Sequence, residues 1–184
     1  VCSSDLMIAQ IQAMIRSEVN AGAAISTMLR NVNEQMVYSS SSEKYVTLFY
    51  GELDCNRNVF RYANAGHNYP VLVRHDGSTV LLKTGGPIIG ALPGMQYEFE
   101  EIQLEPHDVL FFFTDGVSEA MDENEHEYTE ERIHQLVCDH RELDPEKILD
   151  AIVQDVQRHD PSNPPRDDTT IIAIKVNGAV VAAE

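Results

Sequence analysis

The sequence predicts an α+β fold, on three observations. Apolar residues recur at three- and four-residue spacing near the N-terminus and again beyond residue 129, the signature of amphipathic helices. Between these regions lies a series of short strand-like runs separated by turn chemistry. Residues 109–113, Val-Leu-Phe-Phe-Phe, form an unbroken apolar run too short for a useful helix, which reads as a strand buried on both faces in mid-sheet. Helices, then strands, then helices is an order expected of a layered α+β domain.

Taken along the chain, Met7, Ile8, Ile11, Met14 and Ile15 mark a first helix, which Gly22 can end. Ile25, Met28, Leu29, Val32 and Met36 mark a second, and both stripes are core-facing surfaces. Residues 1–6 enter the first helix without a cap or turn, so the chain is expected to be a fragment whose start is missing. After a polar break at 39–42, strand signals follow over 45–53, 59–65, 69–74 and 79–82. Turn-forming residues at 54–58 and 75–78 make this an antiparallel meander. Within it, Asn64-Ala-Gly-His-Asn68 puts His67 in a tight turn. Hydrogen bonding to the backbone is the expected role of His67, with general-acid or ligand chemistry the alternative.

Lys83-Thr-Gly-Gly-Pro-Ile-Ile-Gly90 has the look of a phosphate loop but lacks its Lys-Ser/Thr ending and a following helical pattern. It is read as a connection between strands. Residues 97–103 alternate as another strand, and 105–107 turn the chain into the central one. Beyond it, Thr129 can cap a helix carrying Ile133, Leu136 and Val137. Asp144-Pro145 starts a further helix in the favoured order of cap then proline, burying Ile148, Leu149, Ile152, Val153 and Val156. A proline-rich loop over 160–166 leads to Asp167-Asp168-Thr169-Thr170 and a strand over 171–176, and 177–184 read as a loose tail.

Bulk properties exclude several classes of function. A chain of 184 residues fits one domain with a sizeable core. With 30 acidic against 13 basic residues the formal charge is −17, and no basic patch exists to displace counterions from a nucleic acid. No apolar stretch reaches the length of a membrane span, and no signal-peptide pattern opens the chain. Cys2, Cys55 and Cys138 are scattered, so neither a disulfide framework nor a thiolate zinc site follows and a reducing cytoplasm is expected. The seven histidines show none of the zinc-hydrolase spacings.

Two motifs match one another. Asp115 ends the central strand in Thr114-Asp-Gly116, and Asp167-Asp168 begins the last strand. If these strands pair antiparallel, the end of one lies beside the start of the other. Three carboxylates brought together repel and need protons or a cation to coexist. All-oxygen ligation favours magnesium or manganese, and two such ions can activate water for attack on phosphorus. Taken singly, each motif is equally an Asp-Gly turn or a solvated loop end.

The chain resembles the SpoIIE/RsbU-type branch of the PP2C (PPM) metal-dependent serine/threonine phosphatases. The resemblance covers residues 7–176 and is carried, in order, by Tyr62-Ala-Asn-Ala-Gly-His67, Gly86-Pro-Ile-Ile-Gly90, Leu104-Glu-Pro-His-Asp108, Thr114-Asp-Gly-Val-Ser-Glu-Ala120 and Asp167-Asp-Thr-Thr170. It implies a PP2C-like α-β-β-α sandwich of two antiparallel sheets flanked by helix pairs, with 1–176 the phosphatase domain. It implies Asp115, Asp167 and Asp168 as ligands of Mn2+ or Mg2+, two ions in the complete domain, with the Gly116 main chain as a further ligand. Glu119 and His67 are supporting residues. The ions would activate a water that attacks phosphoserine or phosphothreonine directly, with no phospho-enzyme intermediate. The expected substrate is a phosphorylated STAS-domain anti-sigma-factor antagonist in bacterial stress or sporulation signalling. An upstream sensor or receiver domain and a homodimer are further expectations.

The departures from the family pattern are specific. The Gly-Asp-x-x-Asp and Asp-Val-Ser-Gly-Lys-Gly segments that open family members do not occur here, and Asp5 is no substitute for their aspartates. The fold is therefore expected to lack its first strands and half its metal centre, and this fragment alone is expected to be inactive as a phosphatase. That leaves a non-catalytic phosphatase-fold binding module as the alternative function. His107 and Thr129 stand where glycine is usual.

Overall fold

The computed structural model describes residues 3–39, 45–160 and 168–177. These gather into two compact units, one of the described residues up to 67 with 83–102, the other of 68–82 with the described residues from 103 onward. The expected polar break is only partly covered, since 40–44 lie outside the described residues, as do 161–167 and 178–184.

The first unit opens with helices α1 (Ser3–Asn20) and α2 (Ile25–Ser39), both where the apolar spacing predicts them. Strands β1 (Leu48–Asp54) and β2 (Val59–Ala65) pair antiparallel over their full length, Leu48 facing Ala65 and Asp54 facing Val59. Two further strands border β2: β5 (Gly85–Gly86) and β6 (Glu100–Gln103). The core places Ile11 of α1 and Met28, Leu29, Val32 and Met36 of α2 with Ala63 and Ala65 of β2. The two alanines keep the sheet face low, so long helical side chains fill the space above it. Each large side chain so buried contributes roughly 1.5–3 kcal/mol. On β2, Tyr62 is fully buried and its hydroxyl donates to Glu100 of β6 at 2.6 Å, as does Thr84 Oγ1, also at 2.6 Å.

The β2–β5 pairing is parallel, with Asn64 opposite Gly85 and Ala65 opposite Gly86. This short pairing adds a parallel contact to otherwise antiparallel sheets and gives residues 85–86, expected as part of a connection over 83–90, a place in the sheet. A Cβ on Gly85 would collide with the Asn64 carbonyl, and one on Gly86 would sit 2.7 Å from the Gln96 carbonyl. Backbones approach so closely on both sides that only glycine fits.

The second unit is built on a sheet of order β4-β3-β7-β8, comprising β3 (Val71–Val73), β4 (Thr79–Leu81), β7 (Val109–Phe113) and β8 (Ile171–Lys175). All its pairings are antiparallel. The expected meander therefore divides: β2 and β3 belong to different sheets. The tight turn after β2, where Gly66 takes φ 74°, replaces the hairpin. β7 lies between β3 and β8 and is buried almost throughout, as its apolar run predicts. Val71, Val73, Val109, Phe111 and Phe113 share a core with Ile133 and Val137 of α4 (Glu130–Asp139) and Ile148 and Ile152 of α5 (Pro145–His159). A four-residue helix, α3 (Asp115–Ser118), follows β7 directly and was not expected from the sequence.

The start of β7 is closed by a buried ion pair. Arg74 Nη1 donates to Asp108 Oδ2 at 2.6 Å, and the Glu105 N–H reaches the same oxygen at 2.8 Å. This Asp-centred turn accounts for the Leu104–Asp108 motif structurally. It forces His107 to φ 72°. Thr129, at the N-cap of α4, has φ 74° and ψ 149° and makes no side-chain cap bond, contrary to its expected role. Both residues expected to stand in for a glycine thus have a positive φ, the region suited to glycine, and the Thr129 conformation is one that β-branched residues avoid.

Two variants test these points by urea unfolding. Gly85→Ala should cost roughly 3 kcal/mol through overpacking against main chain that cannot move aside. Thr129→Gly should gain about 1 kcal/mol, the relief of backbone strain exceeding glycine's larger loss of freedom on folding.

Candidate functional site

The candidate site lies where β7 ends. Its ladder with β8 runs from Val109 opposite Lys175 to Phe113 opposite Ile171, the antiparallel pairing inferred from the sequence. One residue further, the Thr114 N–H donates to the Thr170 carbonyl at 3.0 Å and the Thr170 N–H to Thr114 Oγ1 at 2.9 Å. Thr114 Oγ1 also lies 3.4 Å from the Asp168 carbonyl oxygen. The main chain of Asp168 is therefore tied to the residue that precedes Asp115. Both aspartates are exposed. Asp167 lies outside the described residues.

Asp115 opens α3, and its position is locally fixed. The Gly116 N–H donates to Asp115 Oδ1 at 3.0 Å, and the Glu119 N–H donates to the Asp115 carbonyl at 2.8 Å. Ser118 Oγ donates to the same carbonyl at 3.3 Å. Gly116 is buried in this turn and has no positive φ, so the backbone freedom that singles it out in the sequence is not used. Glu119 is exposed one turn after Asp115, on the same side of the short helix. Exposed carboxylate oxygens are the donors a hard divalent cation selects, so the chemistry of the donor set fits magnesium or manganese. Among the described residues no group of three or more His, Cys, Asp or Glu is gathered so as to hold a metal ion.

A second set of bonds anchors α3 from its other end. The Thr129 N–H donates to the Ser118 carbonyl and the Tyr128 N–H to the Ala120 carbonyl, both at 2.9 Å. Tyr128 is itself tied to α5: its hydroxyl donates to buried Asp155 Oδ2 at 2.7 Å. Arg132 donates to that oxygen through Nε and Nη2, both at 2.8 Å, while its guanidinium lies 4.7 Å from the Tyr128 ring centre. Arg158 approaches Oδ1 at 3.2 Å. Burial pushes the Asp155 pKa up, but the hydrogen bonds from Tyr128 and Arg132 outweigh it and hold the carboxyl below its usual range. Burial and Asp155 together push the Tyr128 phenol far up.

His67 belongs to the first unit, whereas Asp115 and Asp168 belong to the second. Buried Asn64 brackets its peptide: the His67 N–H donates to Asn64 Oδ1 at 2.7 Å, and Asn64 Nδ2 donates to the His67 carbonyl at 3.0 Å. The imidazole Nδ1 lies 3.4 Å from Thr47 Oγ1. Sequence reasoning singled out the histidine and passed over Asn64, the residue that shapes the turn. An asparagine three residues before the peptide it closes was the available signal.

The sequence motifs and this topology meet in one family. Residues 2–177 match the family model described as Stage II sporulation protein E (SpoIIE). The chain belongs to the SpoIIE family. It is 26% identical over 176 residues to the phosphoserine phosphatase RsbU of Bacillus subtilis, covering 92% of this chain and 50% of that protein. Protein IcfG of Synechocystis is 29% identical over 133 residues, 72% of this chain and 21% of its own. The chain thus spans half or less of the length of these relatives. Among solved structures, the SiaA-PP2C domain of Pseudomonas aeruginosa superposes with a TM-score of 0.79 at 21% identity, covering 94% of this chain and 70% of that one. The RsbU and RsbW domains of Rv1364c from Mycobacterium tuberculosis give 0.74 at 23% identity, covering 97% and 49%. These likenesses establish the fold as that of the PP2C phosphatase domains.

The Asp155 network has a pH signature. Because its folded pKa is depressed, Asp155 contributes stability that is complete above the unfolded carboxylate value of about 3.9 and is lost as pH falls through the lower folded value. Asp155→Ala should cost roughly 1–3 kcal/mol near neutrality by leaving the buried Tyr128 hydroxyl without its acceptor, since half-exposed Arg132 can turn to solvent. The stability of the variant should then fall less steeply than that of the parent below about pH 4, measured by denaturant titration across pH.

Proposed function

We propose that this chain is the phosphatase domain, over residues 1–176, of a metal-dependent protein serine/threonine phosphatase. The observation that carries the reading is the cross-strand tie at the end of β7, which keeps the main chain of Asp168 beside the residue preceding Asp115. Membership of a family that includes a relative named phosphoserine phosphatase supports the reaction class. Asp115, Asp167 and Asp168 would hold the divalent ions, Mn2+ or Mg2+, with the Gly116 main chain as a further donor. The ions would supply Lewis acidity and a water made acidic enough to attack phosphorus near neutral pH.

The chain's own part is to present and restrain the donors. The Gly116 N–H fixes one Asp115 oxygen and so sets the rotamer of the carboxylate. Glu119 supports from the following turn, and His67 supports the fold of its own unit. With a formal charge of −17 the chain repels a phosphorylated side chain except where bound cations reverse the local field. The substrate we infer is a phosphoserine or phosphothreonine on a STAS-type anti-sigma-factor antagonist, following the resemblance to RsbU. An upstream sensor or receiver domain, a homodimer and a cytoplasmic location belong to the same reading. No helix among the described residues is long and apolar enough to cross a membrane.

The test is a melting curve with and without millimolar Mn2+, alongside phosphate release from a phosphoserine protein. An ion present at about a hundred times its dissociation constant adds about 2.7 kcal/mol to the folded state. The wild-type midpoint should rise by several degrees, and Asp115→Asn should abolish the rise together with any release. No rise in the wild type would sink the metal reading. Tight binding of the phosphoprotein without release would favour a non-catalytic binding module.

A further inference from the structure

Thr114 stands at the N-cap of α3, where a threonine hydroxyl ordinarily accepts a hydrogen bond from the first helical turn, yet it makes no such bond. The cap is not needed, since Asp115 Oδ1 already takes the Gly116 N–H. The hydroxyl is turned across the sheet instead. It accepts the Thr170 N–H at 2.9 Å and lies 3.4 Å from the Asp168 carbonyl oxygen, to which it can donate. The last paired residues of β7 and β8 are Phe113 and Ile171, so this hydroxyl fastens the two chains just beyond the end of their ladder.

Strand ends beyond a ladder open at low free-energy cost. We propose that Thr114 is a positioning residue of the metal centre. Its hydroxyl holds the main chain of 168–170 against the end of β7, so that Asp168 is kept beside the strand end that delivers Asp115 before any ion arrives. The inference rests on the phosphatase reading, since it requires Asp115 and Asp168 to share an ion. Thr114 acts through the residues it restrains, Asp168 and Thr170.

Isosteric replacement separates the hydroxyl from the shape of the side chain. Thr114→Val keeps the branched side chain and loses both bonds, Thr114→Ser keeps both bonds, and Thr114→Ala is a second loss variant should valine lower the melting point below the assay temperature. Two quantities are read on the whole chain: amide exchange at Thr170 without metal, and Mn2+ affinity from a spin-resonance titration of free Mn2+. Thr114→Val should speed exchange at Thr170 and weaken Mn2+ binding tenfold or more, on the order of the loss when a partner that orients a metal ligand is removed. Thr114→Ser should restore both. Mn2+ binding by Thr114→Val equal to wild type, or by Thr114→Ser as weak as Thr114→Val, overturns the inference and leaves the phosphatase reading standing. A wild-type chain showing no Mn2+ binding that Asp115→Asn removes overturns both.

Discussion

The antiparallel register between β7 and β8 is the constraint on which the second unit depends. It fixes Phe111 and Phe113 toward the core shared with α4 and α5. In the same stroke it sets Thr114 against Thr170. A slip of one residue would exchange the two faces of the strand, since side chains alternate with period two. It would move Phe111 and Phe113 out of that core and Thr114 away from its partners together. Stability and site geometry are thus enforced by one pairing. A chain that folds its core correctly has no separate step left in which to place Asp115.

The anchoring of α3 follows the same logic. A helix of four residues has little stability of its own, because nucleation fixes several residues for few bonds. It persists here because β7 delivers it, the Thr129 N–H holds its last carbonyl, and the Tyr128 hydroxyl ties the following segment to Asp155 on α5. The buried ion network lies far along the chain from Asp115, yet restrains the segment that follows it. In the first unit the close approach of Gly85 and Gly86 to β2 does equivalent work by main-chain contact alone.

Much of this was legible in the sequence. β7 announces itself because five consecutive apolar residues have no other stable placement, and α1, α2, α4 and α5 because their apolar spacing is unambiguous. The β7–β8 pairing followed from two acidic motifs that made sense only together. The division of the strands between two sheets was not legible, because a strand's local pattern names its faces and not its neighbours. β5 was hidden for a different reason: two glycines have no periodicity. α3 was hidden by its composition, since Asp-Gly-Val-Ser has weak helical propensity and forms through its surroundings. Thr129 misled because its residue type suits a cap, while the conformation it was given is one suited to glycine. The role of Asp108 could not be read because its partner Arg74, just past the end of β3, is remote in sequence.

The chain contains no tryptophan, so its ultraviolet signals come from tyrosine and phenylalanine. Each unit buries a tyrosine whose hydroxyl is bonded to a carboxylate, Tyr62 with Glu100 in the first and Tyr128 with Asp155 in the second. Both phenols are held above their ordinary pKa, by burial first and then by those carboxylates. In alkali each ring therefore stays un-ionised while its unit remains folded, and ionises once that unit opens. The molecule thus carries an intrinsic optical label on each half, and phenolate absorbance can report whether the two halves melt together or in turn.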